Sequence, residues 1–364
     1  MSRVLLIGQG PTAGTALRSL LARHTVVGLV RNATPDDPVA EYAAVAGVPL
    51  FADTAMGAVD AVVSDLRPDV VVVSSYDRVL GPAVVAKSTF INVHYAPLPH
   101  YRGRATVNWA LINNEPGTAI TIHELVPQLD AGRILFQQSI AIAPDDSVAT
   151  LYERLNAVQL DVLGDTVQRF LTSGGGRQQD QARATYACTR LPEDGEIDWS
   201  LPTERIGALI RALVPPYPGA FTHLHGERLA IWKAVAVADA PAYVGRIPGR
   251  VVSVSAREGW VDVLTGDGVL RLLDVQRDGE AAVAPATVIR SVKTTLGLRS
   301  ADLLDRIRTL EARLAELTDS IAAMRADQPA ETPNNDERTT DSHHGWRRAD
   351  RLPYRRSTDR RRAV

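Results

Sequence analysis

Asn92 and His94 stand two apart in INVHYAPLPHYRGRA, residues 91–105, at what reads as the end of a strand. Residues i and i+2 of an extended chain point to the same face, so both side chains can look into one cleft. An amide NH₂ can donate to a developing oxyanion, and an imidazole with an unperturbed pKa of ~6.5 can take a proton at neutral pH. A carboxylate beside the ring would orient it and stabilise its protonated form. The stretch QLDAGRI offers one, Asp130, next to a Gly-containing turn. The three together supply base, charge partner and oxyanion donor for acyl transfer without a Ser or Cys nucleophile, so the nucleophile would belong to the substrate. A lone Asn-x-His at a strand end serves equally well as a hydrogen-bonded turn, and residue types alone leave both readings open.

The elements that must hold these residues alternate along the first half of the chain. RVLLIG, TVVGLV, VPLF, DVVVVSS and TFINVH are apolar, β-branched runs, and helical patterns over 12–23 and near 55–65 separate them. That rhythm predicts a doubly wound α/β domain with a parallel sheet covered on both faces. Gly8, Gly10 and Gly14 after the first run imitate a dinucleotide fingerprint, but Pro11 intrudes, the spacing is one residue too long, and no acidic residue ends the second run. A tight strand-to-helix turn accounts for the glycines. RILFQQSIAIAPDDS reads as two strand-like pieces closed by an Asp/Ser helix start, and an amphipathic helix runs to about residue 171. SGGGRQQDQARAT then reads as a linker.

Beyond residue 195 a helix, TERIGALIRALV, precedes short turn-separated strands (RLAIWKAVAV, GRVVSVS, GWVDVLT, VLRLLDVQ), the pattern of a small OB-like β-barrel. Leu303, Ile307, Leu310, Leu314, Leu317, Ile321 and Met324 alternate spacings of four and three, which predicts a coiled-coil helix and a homodimer through it. The expected division is therefore 1–195, catalytic domain; 196–296, barrel; 297–326, coiled-coil helix; 327–364, a disordered Arg-rich tail.

Composition narrows the function. Forty-five per cent hydrophobic and 23% charged residues are ordinary for a globular protein, and the apolar runs are strand-length, too short to span a bilayer. The N-terminus enters a strand at once, without a signal-peptide pattern, so the expected location is the cytoplasm. Cys188 is the one cysteine, which excludes an intramolecular disulfide and gives no zinc-site spacing; it is expected as a small buried residue, and no metal is expected. The net charge of −2 includes a tail, 347–362, with eight Arg against two Asp, so the rest of the chain carries no generally basic nucleic-acid surface.

The run INVHYAPLPHYRGRATVNWALINNEPGTAITIHELVPQLDAGRIL resembles the signature of the formyltransferases that use N10-formyltetrahydrofolate: an Asn-x-His pair, an Arg-Gly loop and a Leu-Asp-x-Gly loop with the essential Asp. The resemblance continues through IAIAPDDS, LPEDGEIDW, PYPGAF and GERLAIWKA, to about residue 296. It implies that Asn92 hydrogen-bonds the formyl oxygen as it becomes an oxyanion, that His94 relays a proton from the attacking amine, and that Asp130 holds His94 charged. It also implies N10-formyltetrahydrofolate as cosubstrate, with Tyr76, Val79, Leu80 and Leu129 nominated as its contacts. The loop HYAPLP departs from the family pattern at Tyr95, Ala96 and Pro97, which puts the acceptor in doubt and not the reaction.

YRGRATVNWALINNE and PYPGAF look most like the nucleotide-linked amino-sugar N-formyltransferases. That resemblance makes Tyr101, Arg102, Gly103, Arg104 and Trp109 the candidate acceptor contacts, because a guanidinium fork pairs two phosphate or hydroxyl oxygens and an aromatic ring can wall a sugar. The alternatives are an Arg paired within the fold and a Trp in the core. Methionyl-tRNA formylation would need many basic phosphate contacts, and 173–190 offers only Arg177, Arg183 and Arg190 against Asp180. Formylation of an amino-acid hydroxylamine would use the same triad with another pocket, and an inactive scaffold would have no need of all three residues.

Overall fold

A computed structural model describes residues 1–326; the stretch expected to be a disordered tail lies outside them. Two compact units divide the chain, 1–306 and the residues from 307 on. In the first unit the elements run β1 (Arg3–Gly8), α1 (Gly10–Leu21), β2 (Thr25–Val30), α2 (Pro38–Val45), β3 (Leu50–Phe51), α3 (Met56–Leu66), β4 (Val70–Ser74), α4 (Pro82–Val85) and β5 (Thr89–His94). There follow β6 (Arg102–Gly103), α5 (Thr106–Ile112), β7 (Gly117–Glu124), β8 (Ile134–Ala141) and α6 (Val148–Ser173).

These strands form a sheet in the order β3-β2-β1-β4-β5-β7-β8, with the short β6 outside it. Its first five strands are parallel, as the βα rhythm predicts. The last two are not: β7 and β8 add antiparallel, so the wholly parallel sheet needs correction. The stretch 134–141 is one continuous strand where two pieces were expected. Period two sorts the core by face. Val4 and Leu6 of β1, with Val70 and Val72 of β4, enter the larger apolar cluster, whereas Leu5, Ile7, Val71 and Val73 enter a second one on the opposite side. Burial on both faces is what four consecutive valines in β4 require. The start of α6 is a capping box between Ser147 and Thr150, as its sequence suggests.

Next come β9 (Tyr186–Ala187), α7 (Thr203–Ala212), β10 (Ala220–Leu224), β11 (Glu227–Ala236), β12 (Val251–Val254), β13 (Val261–Leu264), β14 (Val269–Arg277) and α8 (Pro285–Val288). β10 to β14 build an antiparallel sheet in the order β10-β11-β14-β13-β12. β10 was not foreseen. α7 packs on β11 and on α5, and so joins the two sheets. The last helix, α9 (Ser300–Ala326), is continuous over the heptad stretch. No helix among the described residues is long and apolar enough to cross a membrane.

The Gly/Gln-rich stretch is not an idle linker. Arg177 exchanges two 2.8 Å backbone hydrogen bonds with Ile134, Gln179 is buried, and β9 pairs with β6. Backbone and amide hydrogen bonds hold this segment, so its low hydrophobicity carried no sign of order.

Candidate active site

β5 sets the first two groups. Ile91 and Val93 enter the core and anchor the strand at roughly 2 kcal/mol apiece. Asn92 and His94 therefore project from the other face, at the C-terminal end of the parallel strands, where open α/β sheets form their crevices. Asp130 sits on the turn between β7 and β8 with a φ of 47°, a left-handed conformation that Asp tolerates better than most residues.

Three hydrogen bonds from two residues fix that turn. The Gly103 N–H donates to Asp130 Oδ2 at 2.8 Å, and the Gln179 amide donates to the carbonyls of Asp130 and Gly132 at 2.7 Å each. Gly132 lies so close to β7 that a Cβ there would meet the Glu124 carbonyl oxygen at 1.9 Å, which explains the glycine after Asp-Ala. The result is convergence. His94 Nδ1 is 3.8 Å from Asp130 Oδ2, and Asn92 Nδ2 is 3.5 Å from Asp130 Oδ1. The first distance is that of an ion pair and too long for a direct hydrogen bond.

The tautomer of His94 follows from its partner. Nε2 lies 2.8 Å from the Tyr101 carbonyl, which can only accept, so Nε2 carries the hydrogen. Nδ1 is then the free base, and a proton taken up there lies between the ring and the carboxylate.

A second imidazole completes the cluster. His123 pairs directly across the β5–β7 ladder with Asn92 and is fully buried. Its Nδ1 donates to the Glu124 carbonyl at 2.7 Å, so Nε2 accepts the 3.1 Å hydrogen bond from Asn92 Nδ2. Burial pushes His123 down to about 4, with Asp130 pulling the other way and His94 adding to the depression. Neutral at pH 7, it fixes which end of the Asn92 amide is the donor. The second N–H of Asn92 makes only the 3.5 Å contact with Asp130 and can give way to an oxyanion. The sequence carried one signal for His123: a polar residue in register with Thr121 within the apolar strand GTAITIHE.

Asn92, His94 and Asp130 line one cavity of about 770 Å³. Tyr76, Val79, Leu80 and Leu129 line it as well, and Val79 and Leu129 are 77% and 49% exposed. Burial raises the Tyr76 phenol, whose hydroxyl donates to the Thr54 carbonyl. Exposed apolar side chains next to an amide donor suit a flat, partly apolar ligand with a polar reacting end.

The acceptor candidates divide. Gly103 and Arg104 line the cavity, whereas Tyr101, Arg102 and Trp109 do not. Arg102 is buried, and its guanidinium donates to Gln179 and Gln181 at 2.7 and 2.8 Å. Tyr101 turns its hydroxyl to Glu115. Trp109 donates its indole N–H to the carbonyl of Cys188, which is exposed and not buried as expected. The atypical Tyr95 is buried, with its hydroxyl on Asn156 and Gln159 of α6, and does not line the cavity. In their place the cavity gains Asn108, Tyr152, Arg190 and Tyr217.

A family model for formyl transferases matches residues 20–167, and one for their C-terminal domain matches 191–293. The chain belongs to the formyltransferase family. Among solved structures, HypX from Aquifex aeolicus is 16% identical with a TM-score of 0.60, over 80% of this chain and 49% of that one. This chain thus spans about half the length of HypX. WlaRD, a sugar 3N-formyltransferase solved with dTDP and 5-N-formyl-THF, is 15% identical over 77% of this chain and 99% of that one, with a TM-score of 0.55. A 4-N formyltransferase from Francisella tularensis is 15% identical over 62% of this chain and 95% of that one, with a TM-score of 0.54. At such identities the likeness concerns the fold.

Proposed function

We propose that this chain moves the formyl group of N10-formyltetrahydrofolate onto the primary amine of a nucleotide-linked amino sugar. The single observation behind the reaction is the meeting of Asn92, His94 and Asp130 within 4 Å at the wall of one cavity. Asn92 Nδ2 donates to the formyl oxygen as the amine attacks and that oxygen gains charge. The amine loses its proton to His94 Nδ1, and Asp130 stabilises the resulting imidazolium. A new C–N bond forms to the amine, the C–N10 bond breaks, and N10 takes a proton, so atoms and charge balance. Tyr76, Val79, Leu80 and Leu129 hold the folate at one end of the cavity. The fold shared with WlaRD, a sugar 3N-formyltransferase solved with dTDP, supports a nucleotide-sugar acceptor.

The test is direct. Incubation with N10-formyltetrahydrofolate and a panel of UDP- and dTDP-linked amino sugars should give a product heavier by one formyl group in mass spectrometry. Formylation of methionyl-tRNA or of an amino-acid hydroxylamine instead would replace the acceptor and keep the chemistry. No transfer to any amine would overturn both.

A further inference from the structure

Asn108 and Arg190 of the cavity lining carry polar atoms whose partners the fold does not supply. Arg190 donates from Nη2 to the Asp194 carbonyl at 2.9 Å and lies over the Trp109 ring, 5.7 Å from its centroid. Its Nε is buried without a partner, and no carboxylate lies within ion-pair distance among the described residues. Burial lowers its pKa, with the Asp194 charge pulling the other way. Asn108, fully buried on the same wall, donates Nδ2 to the Ala212 carbonyl at 2.7 Å, which leaves Oδ1 as an acceptor with nothing to accept. The hydroxyls of Tyr152 and Tyr217 lie 3.4 Å apart beside them. A buried orphan acceptor and a half-buried unpaired cation each cost free energy that a ligand can return.

We propose that these residues form the acceptor's anchoring subsite, with Arg190 taking phosphate oxygens and Asn108 Oδ1 taking a hydroxyl or amine hydrogen. It rests on the nucleotide-sugar reading. Arg190, which lines the cavity, thereby fills the role that sequence gave to Arg102, which does not; Gln179 and Gln181 hold the Arg102 Nη2, and its Nε is likewise buried without a partner.

Trp109 is the built-in reporter. Titration of the full chain with inorganic pyrophosphate should change tryptophan emission saturably, with no change in Trp109→Phe and at least tenfold weaker binding in Arg190→Ala. With the nucleotide-linked acceptor, Arg190→Ala should raise KM ten- to a hundredfold with kcat within a few-fold, and Arg190→Lys should recover part of it. Wild-type pyrophosphate affinity in a folded Arg190→Ala protein overturns the subsite. The titration needs no amino sugar, so it decides even where the acceptor proves to be a different amine.

A separate observation carries a second inference. Along α9, Ile307, Leu310, Leu314, Leu317, Ile321 and Met324 are each at least 50% exposed. In heptad terms Ile307, Leu314 and Ile321 take position a, and Leu303, Leu310, Leu317 and Met324 take d. Two of the three a positions are β-branched and three of the four d positions are Leu, and β-branched a with Leu d favours parallel two-stranded coils. In that arrangement Arg306 at g faces Glu311 at e of a second copy, twice by symmetry, whereas a centred antiparallel pairing sets Arg313 against Arg313. We infer that α9 pairs in parallel with α9 of one other copy. Sedimentation of the full chain should give a dimer, and Leu310→Asp with Leu317→Asp a monomer. In a Cys188→Ser background, Ile307→Cys should cross-link under oxidation. A monomeric wild type, or a dimer that does not cross-link, overturns the inference.

Discussion

Asn92 and His94 ride on a strand locked between two neighbours, whereas Asp130 sits on a turn that no ladder hydrogen bond holds. The pair on β5 inherits its position from the sheet: alternate residues of the strand are core, and the register with β4 and β7 fixes the rest. Asp130 reaches the same cavity only because Gly103 and Gln179, distant from it in sequence, hold its side chain and its backbone. A precise loop-borne group therefore needs supports that can lie anywhere in the chain.

The sharpest way to break this comparison is to remove either partner's chemistry. Asp130→Asn and His94→Asn should each lower kcat about 10²- to 10⁴-fold with little change in melting temperature. Near-wild-type turnover in either would remove the assignment. Next in size is the pH dependence of the strand-borne side. His123 has a folded pKa near 4, below its unfolded value of 6.5, so the unfolded chain binds more protons between those values. Stability is full above about pH 6.5 and is lost as pH falls toward 4, by a few kcal/mol at most. Thermal melts over that range should be flatter for His123→Gln, and an unchanged slope would mean that the ring is charged in the fold.

Loosening the support probes the loop-borne side. Gln179→Ala should cut kcat roughly tenfold with a smaller change in folate KM, since it frees the Asp130 turn without touching the carboxylate. Full turnover would show the turn to be self-supporting. Smallest of all, Leu129→Ala should raise KM for N10-formyltetrahydrofolate by about three- to tenfold at constant kcat, from lost apolar contact. An unaltered KM would move the folate elsewhere.

The same contrast explains what could be read from the chain. Val70–Val73 and the alternation around Asn92 and His94 announce buried strands and an outward pair, because apolar burial writes a period into the sequence. Asp130 was legible through its Leu-Asp-x-Gly setting. Gln179 was not, because a glutamine that ties a turn by its amide looks like any other in a polar stretch. Arg190 and Arg102 show the same limit from opposite sides: one is spent inside the fold and the other lines the cavity. Only the third dimension separates them.

The antiparallel join of β7 to β5 carries a further implication. His123 meets Asn92 through the ladder itself, so the connection over residues 95–116 sets no part of their alignment. Within that connection Tyr101 and Gly103 hold His94 and Asp130 and must stay, but changes at its other positions can rework the cavity wall at Arg104 to Asn108 while the reacting groups keep their places. A lineage could exchange one amine for another in that stretch without having to reinvent the step that joins it to carbon.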